Sequence, residues 1–320
     1  MVRTGGRKEI RRQGAGRIPR IPDLRANERI FADLHAALKE QDFSSIEQAE
    51  EFALAMLAAG GPPRAVSTTP LERAQEIMYD AWDATGEERI RLALTALTLS
   101  KDCADAYVLL AEDVADEAGL ATRLLEDGMH AGERALGERI FREEAGNFWM
   151  LPETRPYMRA RYGLALILHS CGETAAATGH FSELLRLNPN DNQGARYELA
   201  TCLLEQCDNE TLANLLKEYE EDGSAVWLYS RALLKFRQEG RGPAEDACLM
   251  RAVDENPFVP QYLLGTKKIP GRHPEYIRRG ERSEAILYAL DNCRVWEETP
   301  DALGWLEGMA LSRSRKEKRR

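Results

Sequence analysis

From Asp23 to about Ala310, apolar residues recur at helical spacing, and no stretch alternates apolar and polar positions with period two. Ile30, Phe31, Leu34, Ala37 and Leu38 mark a first helix. Asp42-Phe43-Ser44-Ser45 follows, and Ser44 with Glu47 reads as a capping box for a second. That helix runs into Gly60-Gly61-Pro62-Pro63, a stop followed by a short linker. Thr69-Pro70 starts the next, with threonine as cap and proline at the first helical position, where its missing N–H costs nothing. The pattern predicts an all-α protein.

Two stretches further on match in register. Leu164, Ala165, Leu168, Gly172, Phe181, Leu184, Asn188 and Pro189 form one series; Ala232, Leu233, Phe236, Gly240, Leu249, Ala252, Asn256 and Pro257 form another, each member 68 positions later. That spacing is twice the tetratricopeptide period of about 34 residues. The apolar residues suit the contact between two helices of a pair, the glycines the turn between them, and proline the end of the second helix. A degenerate unit lies between, with Tyr197, Leu199, Ala200 and Leu203 followed by Leu212, Leu215 and Leu216. Upstream, Met78, Ala81, Trp82, Gly86, Ala93, Ala96 and Leu97 resemble another, and Cys103-Ala104-Asp105-Ala106-Tyr107 opens the helix after it. Leu120 to about Glu144 reads as a longer helix containing Gly128, Gly132 and Gly137, through either an interruption or close approach of a neighbour; close packing is preferred. The expected architecture is a tetratricopeptide-like α-α superhelix, a right-handed solenoid of antiparallel helix pairs. A helical pair over residues 23–60 precedes a repeat domain over 65–310; an irregular helical bundle is the alternative.

The charge changes this picture at the ends. Residues 1–20 carry a net +6 and residues 311–320 a net +5, so a total of −10 leaves −21 on the stretch between. Basic tails over 1–22 and 311–320, too poor in apolar residues to order themselves, are therefore expected on an acidic body. No run of eighteen apolar residues occurs and the start has no apolar leader segment, so neither membrane insertion nor secretion is expected. Cys103, Cys171, Cys202, Cys207, Cys248 and Cys293 are scattered without a C-x-x-C pair, mostly among helical apolar positions, which suits buried reduced thiols and a cytoplasmic setting. The five histidines show no zinc spacing, and neither a metal nor a cofactor is expected.

Several segments carry a family resemblance. Gly146-Asn147-Phe148-Trp149, Glu153-Thr154-Arg155-Pro156-Tyr157-Met158-Arg159-Ala160-Arg161 and Asn188-Pro189-Asn190-Asp191-Asn192-Gln193-Gly194 resemble bacterial tetratricopeptide proteins grouped with the suppressor of tumorigenicity 7 family. Tyr262-Leu263-Leu264-Gly265 and Gly304-Trp305-Leu306 fit the same pattern, so the resemblance covers roughly residues 65–307. It implies a helical repeat fold and an interaction role, and it brings no catalytic residues. The membrane association of eukaryotic members is not expected to transfer, because this chain lacks the apolar segments.

In a tetratricopeptide array the first helix of each pair lines a concave groove. The closing prolines Pro189 and Pro257 then place Arg159, Tyr162, His169 and Ser170 of one unit on that surface, with Trp227, Arg237 and Gln238 of the other and Tyr197 between. Arginine and aromatic side chains suit an extended peptide or helix, the guanidinium gripping a carboxylate with two hydrogens. Inter-helix packing is the competing explanation for Tyr162 and Trp227. Arg155 and Arg159 stand one turn apart and project to one side, as a patch for an acidic tail or phosphate or as partners of Glu153 or Glu198; Arg161 points elsewhere. The candidate partner-binding residues are thus Arg155, Arg159, Tyr162, His169, Tyr197, Trp227 and Arg237. Phosphate-loop, zinc-protease, dinucleotide and nucleophile-elbow motifs are missing. A non-catalytic scaffold for a protein or peptide partner is expected. The alternatives are a nucleic-acid adaptor using the basic tails, although these lack aromatic residues, and an enzyme whose site assembles in the groove.

Overall fold

The computed structural model describes residues 25–274 and 276–317, so the basic segment 1–22 lies outside the described residues. The described residues form helices joined by turns and irregular loops, with no strand among them. They divide into two compact units, one up to Ala195 and the other from Arg196. The boundary falls at the start of the degenerate repeat.

The first unit opens with α1 (Glu28–Lys39) and α2 (Ile46–Ala58), followed by the pairs α3 (Pro70–Asp83) with α4 (Gly86–Leu99), α5 (Ala104–Asp113) with α6 (Ala118–Glu143), and α7 (Arg155–Cys171) with α8 (Thr174–Leu187). The caps explain most starts. Thr69 accepts the Glu72 N–H while the Glu72 carboxylate reaches back to the Thr69 N–H, and Pro70 fills the first position. The cap of α2 sits one residue later than expected: Ser45 accepts the Gln48 N–H, and the Gln48 amide oxygen takes the Ser44 N–H. α5 is the central helix, packed on α3, α4, α6 and α7, and seven of its ten residues are buried. Ala74, Met78 and Ala81 of α3, Ala93 and Ala96 of α4 and Ala106 and Leu109 of α5 form one core in which small alanines let the helices approach.

The three glycines of α6 divide between the two explanations. A methyl at Gly132 would stand 2.7 Å from Tyr157 Cβ and 3.0 Å from Tyr157 Cα, and one at Gly128 3.0 Å from Tyr107 Cβ, so both permit close packing. Gly137 has φ +68 and no atom near its missing Cβ; it interrupts the helix.

The second unit contains α9 (Ala195–Gln206), α10 (Asn209–Glu218), α11 (Ala225–Glu239), α12 (Pro243–Glu255), a short α13 (Val259–Leu263), α14 (Arg282–Glu298) and α15 (Ala302–Glu317). α9 begins one residue before the boundary. α11 packs on α10, α12 and α14, and α15 on α12, α13 and α14. The matched series occupy equivalent places in α7/α8 and α11/α12. Gly172 and Gly240 end the first helices with φ of +90 and +76, and Asn188 and Asn256 close the second by donating to Leu184 O and Ala252 O.

Residues 311–317, expected as tail, continue α15. Arg313 pairs with Asp254 at 3.0 Å, and basic residues in a last turn are favoured by the helix dipole. No cysteine is disulfide-bonded; Cys103 and Cys202 are buried, whereas Cys171 and Cys207 are exposed, at the end of α7 and just after α9. Burial pushes the Cys103 thiol up to about 12. No helix among the described residues is long and apolar enough to cross a membrane.

Candidate functional site

Three first-of-pair helices aim side chains at one place. Gln75, Tyr79 and Trp82 share a face of α3 at spacings of four and three; Asp105 lies in the first turn of α5; Arg155 and Arg159 share a face of α7. Arg159 is at the centre, only 3% exposed. Its Nε and Nη2 donate to the two oxygens of Asp105 at 2.7 and 2.6 Å. Its Nη1 and Nη2 donate to the two oxygens of Glu28, in the first turn of α1, at 2.6 and 2.8 Å. One guanidinium thus grips two carboxylates, each with two hydrogens. Gln75 Nε2 donates at 2.8 Å to Asp105 Oδ2, the oxygen that also accepts from Nη2, and the guanidinium lies over the Trp82 ring, 5.1 Å from its centre.

Burial opposes the charge on Arg159, but Asp105 and Glu28 outweigh it and hold the group well above the ordinary arginine value. Arg155 is the second cation, with Nη1 3.9 Å from Glu28. Its Nε donates to Trp149 O, and its guanidinium lies over the rings of Trp149 and Phe31. Burial lowers Arg155 from the ordinary value, with Arg159 adding to the effect and Glu28 opposing it. Burial also raises the Tyr79 hydroxyl, with Glu28 and Asp105 adding to the effect. Two carboxylates face two guanidinium groups, so the cluster is formally neutral.

The rest of α1 is held the same way. Arg29 donates to Glu76 and Asp80 of α3 at 3.1 and 2.8 Å and lies over the Tyr79 ring. Asp33 accepts the Ala65 N–H at 2.9 Å. Lys39 pairs at 2.8 Å with Glu153, in the 3-10 turn Pro152–Thr154 that precedes α7, and His35 stands 3.8 Å from the same carboxylate.

Of the sequence candidates, Arg155 and Arg159 are therefore brought together, with Glu28 and Asp105 rather than Glu153 or Glu198 as the acids. Arg159 does not line an open surface as expected, because α1 lies over it. Arg161 turns away, as read, to Tyr157 Oη. Tyr162 is buried, edge-on to Phe181 at 5.8 Å, as packing predicts. His169 is half-buried in the last turn of α7, where its carbonyl accepts the Gly172 N–H.

Tyr197, Trp227 and Arg237 belong to the second unit. Trp227 is fully buried between the ring edges of Tyr197 and Tyr219, 5.6 and 6.0 Å away, so it too is packing and not an open contact. Tyr197 donates to Asp222 at 2.8 Å, and Arg196, bound to the same carboxylate, lies over the Tyr197 ring at 4.4 Å. Burial and the bond to Asp222 push the Tyr197 hydroxyl up to about 12. Arg237 caps α9 by donating to Leu204 O and also bonds Thr299 Oγ1.

Sequence reasoning missed Glu28, Gln75 and Asp105 as site residues. A signal existed for Asp105, a carboxylate amid the apolar run of a buried helix, where charge requires a partner. None existed for Glu28, which lies 131 positions from Arg159.

The family model described as ST7 protein matches residues 66–310. That stretch contains Gln75, Trp82, Asp105, Arg155 and Arg159 and begins after α1 and α2. Among curated proteins, the chain is 29% identical over 265 residues to the human suppressor of tumorigenicity 7 protein-like, covering 74% of this chain and 45% of that protein. It is 29% identical over 255 residues to the protein ST7 homolog of Drosophila pseudoobscura pseudoobscura, covering 72% and 47%. The chain spans about half the length of the curated relatives it matches. With the family model aligned over most of its length, the chain belongs to the ST7 family.

Proposed function

We propose that the chain is a non-catalytic, tetratricopeptide-like scaffold whose first unit holds a helix in the groove formed by α3, α5 and α7. One observation carries this reading: α1 already lies there, with Glu28 gripped by Arg159 and Arg29 by Glu76 and Asp80. The three helices that build the cluster, α7 and α3 in contact with α1 and α5 through Asp105 on Arg159, are the first members of their pairs, the ones that line the groove of a tetratricopeptide array. A buried ion cluster adds little net stability compared with apolar residues of the same volume. Its use here is selective: it admits a helix with a carboxylate in the right place and penalises one without. The ionisable groups of the cluster neutralise one another, which suits recognition better than proton transfer.

Production of residues 1–63 and 64–320 as separate chains tests the reading. A groove that recognises a helix retains the short chain, and charge reversal of Glu28 to Lys releases it. A folded 64–320 chain that does not retain residues 1–63 contradicts the proposal.

A further inference from the structure

We infer that α1 stands in for a helix from a partner protein, and that this partner helix carries a carboxylate in its first turn where α1 carries Glu28. The inference rests on the groove reading above and adds the kind of partner and the device that excludes it.

α1 is attached as a ligand is attached. Its only buried residues are Glu28 and Asp33, both charged, while Ile30 and Phe31 remain 44% and 50% exposed. α7, by contrast, buries ten of its seventeen residues, most of them apolar. α2 adds no anchor, because none of its residues is buried and Ile46, Leu54 and Leu57 face solvent. Departure of the α1–α2 hairpin therefore breaks ion pairs and hydrogen bonds and gives up the partial burial of Leu34, Ala37 and Leu38, but leaves the fully buried apolar core in place.

The guanidinium of Arg159 is divided so that this can happen. Asp105 occupies the Nε and Nη2 side, while Glu28 occupies Nη1 and shares Nη2. Without Glu28, Arg159 and Asp105 remain a two-hydrogen-bond pair of zero net charge. Arg155 then leaves one positive charge beside an empty Nη1. The opening, with Trp82 and Tyr79 beside it, fits a second carboxylate. The contacts of α1 describe the rest of the partner: a basic residue next to the acid, facing Glu76 and Asp80, and a Lys or Arg about three turns on, facing Glu153.

The connection allows exchange. Residues 59–69 contain no helix, pass through Gly60 and Gly61 at φ +108 and +107, and are tied back by Arg64 to Glu76 and Ala65 to Asp33. Eleven extended residues reach roughly 35 Å, enough to free the hairpin without moving α3. The family-matched stretch begins at residue 66, so the groove falls within it and its occupant before it.

The test uses full-length protein and a fluorescein-labelled peptide of residues 25–41, read by anisotropy. Own-helix occupancy lowers the apparent affinity by the fraction of open grooves, so a chain carrying Glu28→Gln and Arg29→Ala binds the peptide roughly tenfold or more tightly than wild type. The same peptide carrying Glu28→Gln loses that gain. If the double variant does not fold, hydrogen exchange on wild type replaces it: excess peptide must strip protection from α1 and leave α3, α5 and α7 protected. Equal, tight binding to wild type and variant overturns self-occupancy and leaves the groove reading standing. No binding to either chain, with the first unit folded, overturns both. A Glu28→Gln peptide that binds as well as its parent overturns the carboxylate requirement.

Discussion

Arg159 donates to both carboxylate oxygens of Glu28, at 2.6 and 2.8 Å, across 131 positions of sequence. The contact joins the start of α1 to the second turn of α7 at a point where Arg159 is almost sealed from solvent. Removing the arginine leaves two buried carboxylates facing each other. Arg159→Met, which keeps much of the volume, is therefore expected to cost about 3–5 kcal/mol, the usual penalty for breaking a buried pair from one side. Urea unfolding of the first unit measures it; a loss near zero would mean water reaches the cluster freely.

The two acids differ in what depends on them. Asp105 belongs to the central helix and is held by Gln75 as well as Arg159. Glu28 belongs to a helix none of whose apolar residues is fully buried. Asp105→Asn is expected to lower the unfolding midpoint of the whole first unit. Glu28→Gln is expected to expose α1 to exchange and proteolysis while that midpoint stays close to wild type. Peptide-resolved hydrogen exchange separates the two outcomes.

Seating of α1 should also depend on pH. Burial depresses the His35 pKa, with Lys39 and Arg155 adding to the effect and Glu153 opposing it; despite the 3.8 Å approach of Glu153, burial prevails. A depressed histidine binds fewer protons when α1 is seated than when it is free. Seating is therefore full above the ordinary value of about 6.5 and weakens as pH falls below it. Glu153 is held below the ordinary carboxylate value, the bond from Lys39 and further contacts outweighing burial, and its contribution disappears at more acid pH as it protonates. Protease sensitivity of residues 25–69 between pH 7.5 and 5.5 is expected to rise, and His35→Gln to remove that rise.

Close packing of α6 on α7 sets a further expectation. A methyl at Gly132 meets Tyr157 backbone and Cβ atoms at 3.0 and 2.7 Å, which cannot swing aside as a flexible side chain can. Alanine gains about 1 kcal/mol of helix propensity over glycine, but overpacking costs about 1–3 kcal/mol and prevails. Gly132→Ala should destabilise the first unit in thermal unfolding.

Much of this was legible in the sequence. Helix period, caps such as Thr69 and the matched turns at Gly172 and Gly240 are local signals, and local hydrogen bonds fulfil them. The pairing of Arg155 with Arg159 on one face follows from one helical turn. What was not legible is what lies opposite. Glu28 reaches Arg159 only through the return of α1 onto the unit, a long-range event that neither propensity nor period encodes. Trp227 and Tyr197 could be read as groove or as packing from their types alone, and only the burial of Trp227 in the fold separates the two. The expected basic tail at 311–317 instead continues a helix, because the apolar positions Trp305, Leu306 and Met309 anchor the turns before it.

Native-state hydrogen exchange on the full-length protein tests most directly whether α1 is an occupant of the groove and not part of the core. The amides of residues 28–39 should open with a free energy well below that of α3, α5 and α7, and with little dependence on urea, as a docked segment leaving a folded surface does. Exchange of those amides only by global unfolding of the first unit, with the same free energy and urea dependence as α5, would contradict it.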